Sequence, residues 1–108
     1  MTFHVEELTL ELIHALKPLV PRIRRNDRSL ADQIVRAASS IALNIAEAQY
    51  SDPGTRKSRF HSAAGSANET RAALRVAIAW GYFAQPDAQP ATALLERIVP
   101  MLWKLARG

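Results

Sequence analysis

The stretch Leu30–Gln49, LADQIVRAASSIALNIAEAQ, constrains this chain more than any other. Advancing about 100° per residue from Ile34, the residues Leu30, Ala37, Ala38, Ile41, Ile45 and Ala48 all fall within about 60° of one direction. That is the core-facing stripe of a long helix, and it needs other helices to cover it. Ser29 is the expected N-cap, Asp32 stands at the third helical position, and Asp32 with Arg36 makes an i,i+4 ion pair of favourable order. Leu43 lies about 180° from Ile34, on the side that water should cover. The helix therefore has a second apolar surface that one bundle core does not explain.

Three further stripes answer the first. Val5, Leu8, Leu12, Leu16, Leu19 and Ile23 recur at helical spacing and predict a first helix over 4–24. Pro18 and Pro21 lie inside it, and each removes a donor and crowds the preceding turn, so a kink or an early end is expected. A short polar link through Arg24 and Arg28 leads into the second helix, 29–49, and a link that short makes the two antiparallel neighbours. Ser51-Asp52-Pro53-Gly54-Thr55 is dense turn chemistry. A third helix, 55–80, then carries Phe60, Ala63, Ala67, Thr70, Leu74 and Ile78, with Gly81 as its C-cap. Its opposite side holds Gly65, Ala72, Ala73, Val76 and Trp80, small or apolar where charge is expected. Arg71 falls at the edge of the inner stripe and reads as a snorkelling side chain. Tyr82–Gln89 is the expected loop, and Pro90 suits the first position of a last helix reaching 107. Ala91, Leu94, Leu95, Ile98, Leu102 and Leu105 supply its stripe, and Pro100 should bend it. No segment alternates as a strand does. The expected fold is a single all-α domain, 1–108, in an up-down-up-down four-helix bundle.

A chain of 108 residues can bury about two-thirds of its unfolded surface, so folding calls for no cofactor. It has no cysteine, which excludes a disulfide framework, a zinc ribbon and a thiol nucleophile. No leading basic-then-apolar segment is present and no apolar run approaches the roughly 20 residues of a membrane span, so a cytoplasmic protein with no membrane partner is expected. The 14 Lys and Arg outnumber the 10 Asp and Glu, a net charge of +4. Their placement says more than their sum. Residues 1–16 hold three Glu and no Lys or Arg, whereas Arg22, Arg24, Arg25 and Arg28 crowd the link between the first two helices. Arg56, Lys57 and Arg59 open the third helix. In the expected bundle the two blocks occupy opposite ends, each a candidate phosphate-binding cluster, because the guanidinium fork grips a phosphate with two hydrogen bonds. The plainer reading is a solvated face that keeps the protein soluble.

Catalytic and metal chemistry find little support. Glu11-Leu12-Ile13-His14 spells the Glu-x-x-His of di-iron bundles, but those sites need two copies and two further inward glutamates. Only one copy exists, and on a helical wheel it faces solvent. His4, His14 and His61 have no mutual ligand spacing. Asn44, Glu47 and Glu69 flank the apolar stripes, where polar residues of a bundle interface more often fix register by hydrogen bonds than perform catalysis. There is no Gly-rich phosphate loop and no nucleophile elbow. No metal, no cofactor and no enzymatic activity are expected.

Ser40-Ile41-Ala42-Leu43-Asn44-Ile45-Ala46-Glu47, followed by Ala64-x-Ser66-x-x-Glu69 and Ala79-Trp80-Gly81-Tyr82, resembles the four-helix bundle proteins encoded in 23S ribosomal RNA intervening sequences. The resemblance spans nearly the whole chain, with Ala42 and Ala48 standing where the family often has Pro and Gly. The same superfamily includes the accessory variability protein of diversity-generating retroelements, a pentameric bundle that binds nucleic acid and a reverse transcriptase. The resemblance implies a left-handed four-helix bundle in a ring-like homopentamer; it implies no established activity. The expectation is thus a non-enzymatic oligomeric bundle that binds RNA or DNA through its arginine clusters, as an accessory to a reverse transcriptase or another nucleic-acid enzyme. Leu43, Val76 and Trp80 form the expected subunit contact. The rival is an oligomeric protein scaffold with no nucleic-acid binding.

Overall fold

The computed structural model describes residues 2–108, with side chains from His4 onward. Five helices follow one another: α1 (Thr2–Leu16), α2 (Val20–Arg24), α3 (Arg28–Gln49), α4 (Pro53–Trp80) and α5 (Gln85–Arg107). No strand occurs among the described residues. The first expected helix is therefore two, and the prolines divide it. Pro18 occupies the turn after α1, while Pro21 sits in the first turn of α2, where a missing donor leaves no hydrogen bond unmade. The break leaves the stripe intact, because Leu16, Leu19 and Ile23 all remain buried.

The α3 stripe is buried as its spacing predicts, from Leu30 through Ala48. Its start differs. Asp27, not Ser29, is the N-cap: its backbone is extended and its Oδ1 accepts the Leu30 N–H at 3.0 Å. Ser29 stands inside the first turn instead, too late to cap it. Asp32 likewise takes a different partner from the expected Arg36. Arg24 at the end of α2 donates to Asp32 Oδ1 at 2.6 Å, since the turn at Arg25–Asp27 folds α2 back beside the start of α3. That hydrogen bond, opposed by some desolvation and helped by the nearby charges of Arg24, Arg36 and Arg28, holds the Asp32 carboxyl below its ordinary range. Asp27→Ala should lower the unfolding free energy by about 1 kcal/mol and Asp27→Asn by much less, as read by denaturant melts. Equal losses in both variants would remove the cap from the account of this helix end.

α4 opens at Pro53, two residues before its expected start, and Asp52 caps it, accepting the Thr55 N–H at 2.9 Å and the Thr55 hydroxyl at 3.0 Å. Gly81 ends α4 in the left-handed conformation at φ 78°, as the sequence predicts. The start of α5 does not follow prediction: it begins at Gln85, five residues ahead of Pro90, with Pro86 in its first turn. Pro90 and Pro100 both lie within that helix, which the structure carries through to Arg107. Two prolines inside one helix each forgo a backbone hydrogen bond. The burial of Ala88, Ala91, Leu95, Ile98 and Leu102 along one side is what offsets that loss.

α1 packs on α3 and α5, α3 on α4, and α4 on α5, while α2 closes over the start of α3. These contacts form a closed circuit around one apolar core. The longest dimension, 42 Å, is the length of the 28-residue α4 at about 1.5 Å per residue. α4 gives the core mainly small side chains, Ala63, Ala64, Ala67, Ala73 and Ala77, around Phe60 and Leu74, whereas α1 and α5 supply leucine and isoleucine. Ala73 thus belongs to the core and not to the solvent side, where the sequence had suggested it. Ile78, expected in the stripe, is only half-buried. Among the described residues the buried polar side chains are Thr9 and Thr70, and each donates its hydroxyl to the backbone carbonyl four residues back, Val5 and Ser66, at 2.8 Å. No buried side-chain nitrogen or oxygen among the described residues lacks a partner.

Candidate functional site

The two basic blocks lie where the topology demands, at the α2–α3 link and at the start of α4, and the structure engages much of each internally. Arg22 pairs with Asp87 of α5 at 3.0 Å, its guanidinium 5.8 Å from the centre of the Phe83 ring. Arg24 is held by Asp32. Arg59 pairs with Glu47 of α3 at 3.0 Å. Arg56 donates to the carbonyls of Ala48 and Ser51, at 3.2 and 3.3 Å, and so ties the end of α3 to the start of α4. Arg25, Arg28 and Lys57 are exposed and enter no ion pair among the described residues. Arg56 and Lys57 also line an open cavity of about 310 Å³ with Lys104 of α5, a cation that sequence spacing did not bring to this end. A sequence shows the positive charges of a block but not the carboxylates that the fold brings to it, and Asp87 is 65 residues from Arg22.

The polar residues beside the stripes gather along the α3–α4 seam. Gln33 donates to Glu69 at 3.1 Å, Ser66 donates to the Ser40 hydroxyl at 2.9 Å, and Arg59 meets Glu47. On α3 the three positions, 33, 40 and 47, are seven apart, two turns of helix, so they share one edge of the contact. Asn44 does not cross the seam. Its amide donates within α3, to the Ser40 carbonyl at 2.9 Å and to the Ser40 hydroxyl at 3.0 Å, orienting the serine that Ser66 meets. Arg71 donates to Asn68 one turn back, at 2.8 Å.

The outer side of α3 carries the most prominent uncovered surface. Leu43 is 66% exposed, Val35 on the same helix is 43% exposed, and Tyr50, the residue that ends the helix, is 91% exposed. With Ser39 and Ala46 they follow one another at helical spacing, 4-4-3-4, a second stripe that sequence reading reduced to Leu43 alone because alanine and serine break its apolar signal. Val35, Ser39, Leu43 and Ala46 line one groove of about 710 Å³, reaching Asn44, Glu47 and Arg59 at its polar edge. Val35 and Ser39 also border a smaller apolar groove of about 280 Å³ against Ile13, Lys17 and Val20. Leu10 on α1 is exposed as well. Val76 and Trp80, 43% and 71% exposed, lie on α4, and neither lines the α3 groove.

The histidines are scattered. His14 and Glu11 are exposed on α1, His4 lies 3.4 Å from Arg97, and His61 meets the edge of the Trp103 ring at 5.2 Å. No group of three potential metal ligands occurs among the described residues. No helix among them is long and apolar enough to cross a membrane.

The fold matches the crystal structure of a protein of unknown function from the S23 ribosomal protein family of Bacteroides thetaiotaomicron, with a TM-score of 0.86 over 96% of this chain and 99% of that one. The two sequences are 21% identical, a likeness that establishes the fold alone. No curated protein matches the chain. The model of one family matches residues 5–104, from Val5, buried on α1, to Lys104 in the last turn of α5. The chain belongs to the 23S rRNA-intervening sequence protein family.

Proposed function

We propose that this protein is a non-enzymatic subunit of a helical assembly, in which α1 and α2 act as one broken arm of a left-handed, up-down-up-down four-helix bundle and copies join into a ring-like homopentamer. The circuit of packed neighbours and the short links support the bundle; its hand and the number of subunits rest on the family resemblance. One observation carries the assembly. Val35, Leu43 and Ala46 line one groove on the outer side of α3, with exposed Tyr50 just beyond the helix end, and soluble monomers rarely leave large apolar surface gathered in this way open to water. A copy of the same chain is the simplest cover, and a cyclic arrangement closes without a free end. Light scattering of the purified protein at micromolar concentration tests the reading. A stable species of 11.9 kDa, the mass of one chain, would overturn it.

A second reading, binding of RNA or DNA alongside or in place of a protein partner such as a reverse transcriptase, is favoured by Arg25, Arg28 and Lys57, which remain exposed with no carboxylate partner among the described residues. Phosphate contacts of this kind position a nucleic acid without reading its bases. Retention of labelled RNA at about 150 mM salt is the expected result, with affinity falling as salt rises. The Arg25→Ser, Arg28→Ser double variant should flatten the log–log salt slope by up to about 1.8 on duplex, about 0.9 for each lost phosphate contact. No retention by the unmodified protein leaves the assembly as a protein scaffold.

A further inference from the structure

We propose that the groove between α4 and α5 is a site for a phosphate ester with a hydrogen-bonding head group, of the nucleotide class, gripped by Arg71 and Arg75. This inference rests on a surface separate from the α3 stripe and from both basic blocks. Arg71 and Arg75 are four residues apart on α4 and line the same groove of about 320 Å³, a volume at the lower end of small-molecule sites. Like charges at that spacing repel, so the pair costs stability unless an anion joins them. No carboxylate among the described residues lies within ion-pair distance of either. The two are not equivalent. Arg71 is half-buried and its Nη2 is fixed on Asn68, which leaves its remaining donors in a set direction, whereas Arg75 is exposed.

The opposite wall supplies the rest of the recognition. Gln85 and Gln89 stand one turn apart on α5, exposed and facing the same groove, and each amide offers both a donor and an acceptor to a polar ring edge. Ile78 provides the apolar floor. Glu96 lines the groove too, leaving a net charge of +1 from two arginines and one glutamate, and its carboxylate opposes the binding of a phosphate there. Two guanidinium forks fit phosphate oxygens with paired charge-assisted hydrogen bonds, while glutamine amides and an apolar floor fit a flat polar ring.

The phosphate is either free or part of a strand, and the test separates the two: titrate the unmodified chain with fluorescent adenosine monophosphate and, in parallel, with a short single-stranded oligonucleotide lacking terminal phosphates. Binding of either ligand is expected, with mononucleotide binding alone marking a free nucleotide site and oligonucleotide binding marking a strand site. Arg75→Gln, at an exposed position, and the Arg71→Gln, Arg75→Gln pair should weaken it by at least about tenfold, the loss of charge-assisted hydrogen bonds. Glu96→Gln should tighten binding, and Glu7→Gln on α1, an equal change in net charge at a residue that does not line the groove, should tighten it less. The proposal is overturned if neither ligand binds at about 1 mM, if Arg75→Gln binds as the parent does, or if Glu7→Gln and Glu96→Gln tighten binding equally. If binding survives the Arg71, Arg75 change but is lost in the Arg25, Arg28 variant, the groove is excluded and the α2–α3 cluster is the nucleic-acid surface.

Discussion

Ile41→Ala is expected to lower the unfolding free energy by about 2–4 kcal/mol, while Leu43→Ala, two residues along the same helix, should leave the unfolding of a single chain within about 0.5 kcal/mol. Ile41 is 0% exposed at the middle of the α3 stripe, and removing its outer carbons loses their transfer free energy and leaves a cavity. Its neighbours can collapse only partly. On the α4 side, where Ser66 meets Ser40, the buried residues Ala63, Ala64 and Ala67 are too short to move into the space. Leu43 is 66% exposed, so truncation removes little that folding of one chain had buried. Denaturant melts of the two variants, done where the parent is dissociated, decide the matter. A loss below about 1 kcal/mol for Ile41→Ala would mean that the register of α3 is wrong, since a slip of one residue rotates every position by about 100°.

That register was legible because α3 has no proline or glycine and keeps a regular apolar repeat over 22 residues. Each stripe of the sequence reading is found buried or at the edge of the core, and the αL cap at Gly81 follows from a residue that alone tolerates φ 78° without strain. Helix ends were harder. Capping is decided by which of several nearby polar residues has an extended backbone, and at the start of α3 both Asp27 and Ser29 were candidates by type. At the start of α5, Pro86 and Pro90 both suit a first turn, and the choice falls to Ala88, whose methyl is fully buried and belongs to the same face as Ala91. The candidate surfaces were legible in part. Leu43, Val76 and Trp80 stood out as apolar residues away from the stripes and are exposed. Val35 and Tyr50 did not, because Ser39 and Ala46 between them lower the apolar signal. The arginines were the least legible, since the carboxylates that engage Arg22, Arg24 and Arg59 come from other helices.

Leu43→Glu should release the assembly while leaving the single chain folded, and the expected change is a fall in measured mass to 11.9 kDa at concentrations where the parent is larger. The substituted carboxylate would lie in the middle of the uncovered stripe, between Val35 and Tyr50. In the free chain it stays in water. In a closed contact it would have to be buried, and burial of an unpaired charge costs several kcal/mol, a change of at least about a hundredfold in a dissociation constant. In the proposed ring the effect would be compounded, because every subunit would make two contacts and each contact would contain the altered face of one partner. Arg36 and Arg59 both line the same groove, and Arg59 is paired with Glu47, so Arg36 is the arginine left to relieve a carboxylate at position 43; Leu43→Lys, which meets no unpaired carboxylate in that lining, should then dissociate the assembly at least as fully. Helical circular dichroism and the melting midpoint should match the parent monomer for both variants, since position 43 is outside the core. If either variant keeps the parental mass while remaining folded, the α3 stripe does not carry the contact, and Val76 and Trp80 of α4 are the next faces to alter.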